Sequence, residues 1–176
     1  MKQVKRFTAL VCVIVLAIGM IGCGGSEEKE VKAIDLKAVQ QEIQEAYGEN
    51  YLANMDYDAE ILEMVFGIDP AWVAESVAQG PMMSAHVDTF IAIKATEGNM
   101  ENVKKALEDY RQMNIDSNMF YPMNLPKLET AEVYQTGDYV FYVLLGGYTD
   151  VEDESGAKDF YTEQNQIAPD IIKKYE

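Results

Sequence analysis

Apolar positions recur at helical spacing once the chain passes residue 34. Leu36, Val39 and Ile43 fall on one helical face, Asp35 precedes them, and Gly48 follows. An acidic residue before an apolar stripe and a glycine after it are typical of a helix start and a helix end. The spacing therefore predicts an amphipathic helix over residues 36–47.

Two further helix starts follow in the N-terminal half. Asp58 precedes the apolar segment 61–66, which Gly67 ends, and this predicts a short helix. Asp69 can accept backbone N–H bonds as an N-cap, and Pro70 suits the first helical position because it has no N–H to satisfy. This pattern predicts a third helix over 70–80, with Trp72, Val73 and Val77 as its apolar stripe.

The central part of the chain favours strands around one long helix. Residues 89–95 (TFIAIKA) are rich in β-branched and aromatic side chains and predict a buried strand, and Asn99 precedes a long amphipathic helix. Residues 132–135 and 139–145 predict a hairpin through the turn 136–138. This order predicts a β-α-β-β core. The expected fold is α+β, with a small antiparallel or mixed sheet and the N-terminal helices packed on one face.

The C-terminal part gives weaker signals. After Gly146-Gly147 comes an acidic loop, residues 150–154, then a weak helical pattern over 157–164 and an interruption at Pro169. We therefore predict one globular domain over 34–147, followed by an acidic loop and helical tail over 148–176.

The N-terminus has the layout of a secretory signal. Lys2, Lys5 and Arg6 precede an apolar stretch that runs from Phe7 to Gly22. This stretch is short for a helix that spans a bilayer, which needs about 20 apolar residues. The layout of basic residues, a short apolar run and a small residue predicts a signal peptide over 1–22.

Cys23 follows this segment directly. The sequence Met20-Ile21-Gly22-Cys23 resembles the bacterial lipobox, although Met20 stands where that pattern usually has leucine. The resemblance implies that Cys23 is acylated and becomes the mature N-terminus. Cys12 would leave with the signal, so Cys23 has no partner for a disulfide. We expect a lipid anchor at Cys23, a flexible acidic tether over 23–33 and a place on the extracytoplasmic face of the cell membrane. The alternatives are a plain cleaved signal or an uncleaved anchor.

The charge excludes one class of partner. The chain has 14 Lys and Arg residues against 30 Asp and Glu residues, which gives a formal net charge of −16. Nucleic acids require clustered cationic side chains that displace counterions from phosphates. A nucleic-acid partner is therefore not expected.

No catalytic residue or cofactor is predicted. His86 is the only histidine, and on a strand Ser84, His86 and Asp88 would stand about 6.5–7 Å apart on one face, too far for a triad. A single histidine and no mature thiol besides Cys23 also argue against a zinc site. The chain has no nucleophile elbow, phosphate loop or dinucleotide fingerprint.

No metal site is predicted either. The segment Asp56-Tyr57-Asp58-Ala59-Glu60 begins like a calcium loop, but Ile61 takes the place of the glycine that such a loop requires. Asp58 is better explained as a helix cap. The acidic residues of 150–154 are a second candidate for weak calcium binding, with a solvated turn as the default interpretation.

The predicted hairpin carries aromatic side chains on both faces. On a three-stranded sheet, Tyr134, Tyr139 and Phe141 would form an exposed patch, which we predict as a binding surface. The segment 119–123 (MFYPM) adds methionine and aromatic residues. The alternative is that the C-terminal helix covers this face.

Several short segments resemble a family of uncharacterised lipoproteins from Gram-positive bacteria, known as domain of unknown function 4358. The segments are 67–70 (GIDP), 81–83 (PMM), 91–95 (IAIKA), 98–107 and 137–140 (GDYV), and together they cover most of residues 35–145. The resemblance implies an envelope location and one compact α+β domain, without a known reaction.

These observations lead to one expected role and two alternatives. We expect a membrane-anchored, extracytoplasmic lipoprotein that serves as a non-catalytic binding or assembly module, with an envelope protein or the cell wall as its partner. One alternative is a carboxylate-based envelope hydrolase. The other is a transporter-associated solute-binding lipoprotein, although the mature chain is short for a two-lobed solute receptor.

Overall fold

The computed structural model describes residues 33–117 and 119–176, and these residues belong to one compact unit. The predicted signal peptide over 1–22, the lipidation site Cys23 and most of the predicted tether lie outside the described residues. The predictions of a signal peptide, a lipid anchor and a tether therefore remain predictions.

The described residues form six α-helices and five strands. The helices are α1 (Leu36–Tyr47), α2 (Ala59–Phe66), α3 (Met100–Asp116), α4 (Leu125–Leu128), α5 (Glu154–Asn165) and α6 (Ile167–Ile172). The strands are β1 (Met55–Asp56), β2 (Val73–Gly80), β3 (Thr89–Ala95), β4 (Glu132–Thr136) and β5 (Tyr139–Leu144). Single turns of 3-10 helix occur at Gly48–Asn50, Pro70–Trp72, Pro122–Asn124 and Lys173–Tyr175.

The strands form one antiparallel sheet in the order β1-β2-β3-β5-β4. Helices α3 and α4 connect β3 to β4, and the hairpin then places β5 between the two strands. This arrangement confirms the predicted α+β class and the β-α-β-β core. The sheet has five strands, however, because β1 and β2 extend it beyond β3.

Local capping signals account for the helix starts. Asp35 accepts bonds from the backbone N–H groups of Lys37 and Ala38 at 3.1 Å each, and Asp58 accepts one from Ile61 at 3.0 Å. These bonds satisfy N–H groups that have no partner within the helix. The predicted caps of α1 and α2 are thus confirmed.

The helix predicted over 70–80 was wrong. Asp69 does accept a bond from the Ala71 N–H at 2.8 Å, but only the single turn Pro70–Trp72 follows it. The chain then continues as β2, which pairs with β3 from Val73↔Ala95 to Gln79↔Phe90. Pairing with the apolar strand β3 outweighs the capping signal, because β2 then shields one edge of that strand.

The sheet is covered on both faces, and its strands alternate accordingly. Phe90 and Phe141 belong to a first core with α1 and α6, whereas Ile91 and Tyr142 belong to a second core with α2 and α3. Successive strand residues point to opposite faces, so each strand supplies both cores. The prediction that the N-terminal helices share one face was therefore wrong, since α1 and α2 lie on opposite sides.

The C-terminal tail belongs to the first core. Ala168 and Ile172 of α6 are fully buried against residues that include Phe141 and Val143 of β5. Pro169 lies in the first turn of α6 and does not interrupt it, because the N–H groups of a first turn have no acceptor within the helix. The tail is thus a structural layer of the domain.

We predict that Ile172→Ala lowers the free energy of unfolding by about 2–5 kcal/mol, because it leaves a cavity beneath the sheet. Urea unfolding followed by circular dichroism measures the change. Met64 is 71% exposed, so Met64→Ala is the matched control and should change stability by less than about 0.5 kcal/mol. Equal stabilities of the two variants would contradict the packing of the tail.

Candidate functional site

The predicted aromatic patch is not a surface of the described domain. Tyr139 and Phe141 are 3% and 0% exposed, beneath α1 and α6. The Tyr139 hydroxyl accepts a bond from the Ile34 N–H at 3.0 Å, and the half-buried Tyr134 donates its hydroxyl to Glu176. The patch prediction for Tyr134, Tyr139 and Phe141 was therefore wrong, because the tail covers this face as the alternative required.

A different surface forms where β3 begins and β5 ends. Thr89 pairs with Leu144, so the segments before β3 and after β5 meet at the same end of the sheet. The segment before α4 joins them, because Asn124 Nδ2 donates to the Ala85 carbonyl at 2.9 Å. The Tyr148 hydroxyl lies 3.2 Å from His86 Nε2. Three separate parts of the chain are thus fixed together.

A buried ion pair lies at the centre of this junction. Lys127 Nζ is 2.7 Å from Asp88 Oδ1, and both residues are 1% exposed. Lys127 also donates to the Gly147 carbonyl at 2.9 Å, and the Gly147 N–H donates to Asp88 Oδ1 at 3.2 Å. The pair therefore links α4, the start of β3 and the segment after β5.

Two effects of opposite sign act on the charge of the Lys127 ammonium group. Burial lowers the pKa of the ammonium group, while the carboxylate of Asp88 acts in the opposite direction. The Tyr161 ring adds a cation–π contact, with its centroid 5.2 Å from Nζ. With a carboxylate, a carbonyl and a ring as partners, Lys127 is placed to hold the loop.

The Gly146-Gly147 pair is required by this geometry. Both residues have positive φ angles, 119° and 63°, which side chains disfavour. A Cβ atom on Gly147 would stand 2.7 Å from Asn50 Oδ1, and one on Gly146 would stand 2.6 Å from the Gln164 Cβ. These glycines let the chain leave β5 and pass close to its neighbours.

Beside the ion pair lies a cleft of about 800 Å³. One wall is the segment around α4, and the other is the loop after β5 with the first part of α5. The lining residues are Pro122, Met123, Leu125, Pro126, Tyr148, Thr149, Asp150, Val151, Glu152, Glu154, Ala157 and Tyr161. Its volume falls within the range of ligand-binding sites in proteins.

The cleft exposes large apolar side chains. Met123, Tyr148 and Val151 are 62%, 52% and 42% exposed, respectively. Further exposed apolar side chains occur on the segments that the junction joins, namely Met82, Met83, Met119 and Tyr121. Apolar surface left open to water by several adjoining loops is typical of interaction sites.

The rim of the cleft is acidic. Asp150, Glu152 and Glu154 line it and are exposed, whereas Asp153 caps α5 by accepting the Gly156 N–H at 2.7 Å. A glycoside hydrolase needs a proton-donating carboxyl in a surrounding that raises its pKa, such as an apolar pocket. The rim carboxylates are exposed to water and do not lie in such an apolar pocket.

The remaining residues that the sequence analysis weighed for catalysis or metal binding have other roles in the structure. Asp88 is buried with Lys127, His86 contacts Tyr148, and Ser84 is exposed, so these three residues do not form a catalytic alignment. Asp56 accepts a bond from Gln79 Nε2 at 2.7 Å, and Asp58 caps α2. The residues that the structure describes contain no group of three or more His, Cys, Asp or Glu side chains suited to hold a metal ion.

Sequence reasoning missed the ion pair and the cleft. Lys127 and Asp88 are 39 residues apart, and no sequence pattern joins them. One weak signal exists, because Lys127 is the only charged residue between Ser117 and Leu128. The segment 119–123, which is rich in methionine and aromatic residues, contributes Pro122 and Met123 to the cleft wall.

Comparisons with known proteins give one match. A family profile described as Domain of unknown function (DUF4358) matches residues 46–145, more than half of the chain. Neither the curated proteins nor the solved structures contain a match. Across residues 33–117 and 119–176, no helix has the length and apolar character to cross a bilayer.

We predict that Asp88→Asn lowers the free energy of unfolding by about 3–5 kcal/mol, because it leaves the Lys127 ammonium buried without a counterion. The double variant Asp88→Asn/Lys127→Met should be more stable than Asp88→Asn alone, since no unpaired charge remains. Urea unfolding of the wild type, both single variants and the double variant measures the coupling. Additive losses in the double variant would show that the two residues act independently.

Proposed function

The chain belongs to the DUF4358 family, a domain of unknown function, and we propose that it is a membrane-anchored, extracytoplasmic lipoprotein. Within that role it acts as a non-catalytic binding module of the cell envelope. The cleft between α4 and the loop after β5 is its binding site. The partner is an envelope protein or a component of the cell wall.

The anchor is supported by the order of residues at the N-terminus. Basic residues, a short apolar stretch and Gly22-Cys23 stand in the order of a lipoprotein signal. A diacylglycerol on Cys23 supplies two acyl chains, which is what stable attachment to a membrane needs. The acidic segment that follows then separates the folded domain from the lipid surface.

The binding role rests on one observation, the open apolar cleft. Met123, Tyr148 and Val151 expose apolar surface at its mouth, although burial of such surface normally stabilises a fold. A buried ion pair and two closely packed glycines hold the segments of this region together. The described residues nevertheless leave these three apolar side chains exposed. An exposed surface whose segments are joined by such contacts is suited to bind a partner.

The two alternative functions have less support. A carboxylate-based hydrolase requires a shielded proton donor, and the acids that line the cleft are exposed. A solute-binding lipoprotein requires a site that encloses most of its ligand. Here exposed apolar side chains also lie outside the cleft, so the surface suits a larger partner.

We predict that Cys23→Ala releases the protein from the membrane. The variant lacks the thiol that would carry the lipid, so it should lose the mass of a diacylglycerol and move from the membrane fraction to the soluble fraction. Mass spectrometry of the mature protein and fractionation of cells measure both effects. A Cys12→Ala variant is the control and should remain lipidated. A mature wild-type chain without the mass of a diacylglycerol on Cys23 would contradict lipidation at this residue.

A photo-crosslinking amino acid at position 123 tests the cleft in cells that express the chain. We expect one defined envelope partner at position 123 and none at position 64, because Met123 and Met64 are similarly exposed but only Met123 lines the cleft. Mass spectrometry identifies the partner. The absence of a specific crosslink at position 123, or equal capture at both positions, would overturn the proposed site.

A further inference from the structure

We infer that the cleft binds a basic segment of a partner protein, in which apolar side chains alternate with or flank lysine or arginine. The inference rests on the proposed binding function and names the chemistry of the partner. It follows from two properties of one surface, namely its acidic rim and its apolar walls.

The rim selects for positive charge. Asp150, Glu152 and Glu154 line the cleft, and no lysine or arginine is present among the described residues that line it. In the part of the chain that the structure describes, these three carboxylates form no salt bridge. They are thus available to cations of a partner, and three like charges around one cleft attract a basic segment more strongly than any one of them.

The walls select for an apolar side chain. Met123, Leu125 and Val151 line the cleft and are partly uncovered. Methionine side chains are flexible and polarisable, so they adapt to aliphatic and aromatic groups of different shapes. Val151 lies between two of the rim acids in sequence. An extended partner segment with alternating basic and apolar residues matches this alternation.

The extent of the apolar surface favours a polypeptide. Met82, Met83 and Tyr121 are exposed on the segments that the junction holds next to the cleft. A small cationic molecule would cover the cleft alone, whereas a peptide segment can also contact these side chains. A second copy of the chain and an anionic lipid surface are both disfavoured, because the chain itself carries a net charge of −16.

The test measures binding of fluorescein-labelled peptides to the full chain in nanodiscs of zwitterionic lipid, by fluorescence anisotropy. Three eight-residue peptides alternate lysine with leucine, glutamate with leucine, and lysine with serine. Empty nanodiscs give the background of lipid binding. The lysine–leucine peptide should bind the protein, and the glutamate–leucine and lysine–serine peptides should bind at least about tenfold more weakly.

Two triple variants separate the cleft from general attraction to an acidic protein. Asp150→Asn/Glu152→Gln/Glu154→Gln should weaken binding of the lysine–leucine peptide about fivefold to tenfold, since each exposed ion pair contributes little alone. Glu63→Gln/Glu97→Gln/Glu101→Gln removes the same charge from exposed positions outside the cleft lining and should leave the affinity unchanged. Met123→Ser/Val151→Ser should also weaken binding, because it removes apolar contact while the rim remains.

The outcomes distinguish this inference from the proposed function. Equal weakening by the two triple variants, or equal binding of the lysine–leucine and glutamate–leucine peptides, would overturn the basic partner. The binding function would still stand if position 123 captured a defined envelope protein. When such a protein is captured, its crosslinked segment should contain lysine or arginine beside apolar residues. A captured segment without basic residues would count against the inference alone.

Discussion

The ion pair between Lys127 and Asp88 is the interaction on which the candidate site depends. Asp88 immediately precedes β3, Lys127 belongs to α4, and both contact the backbone of Gly147 after β5. The sheet alone fixes β3 and β5 relative to each other, but it does not fix the segments beyond their ends. The ion pair extends this order to the loop that forms one wall of the cleft, so the opening has a defined shape.

A buried ion pair contributes little net stability, because both charges lose their hydration and this desolvation offsets their attraction. Apolar residues of similar volume often replace a buried ion pair without loss of stability. They would not, however, bond to the N–H and carbonyl of Gly147. These directional bonds explain why charged residues occupy this position. The bonds to Gly147 fix the path of the loop after β5, whereas apolar packing would only bury the side chains.

The features predicted correctly from the sequence are those that short segments determine. Asp35 and Asp58 cap helices through bonds to residues two or three positions away, and the turn around Gly137 joins strands that are adjacent in sequence. The errors have the opposite cause. Residues 73–80 form a strand because β3 lies beside them, and Phe141 is buried because α6 covers it from further along the chain. The Lys127–Asp88 pair also joins distant residues, so no local pattern revealed it.

The two walls of the cleft differ in their relation to the family domain. The apolar wall with Met123 and Leu125 lies inside the matched residues 46–145, whereas the acidic rim and Val151 lie beyond residue 145. The ion pair belongs to the matched domain, and its partner Gly147 lies two residues beyond the end of the match. The matched domain thus supplies the apolar surface and the attachment point, and the tail supplies the charge. Substitutions in the loop 148–152 can therefore change the charge and the apolar surface of the cleft without altering the sheet, because that loop contributes to neither core.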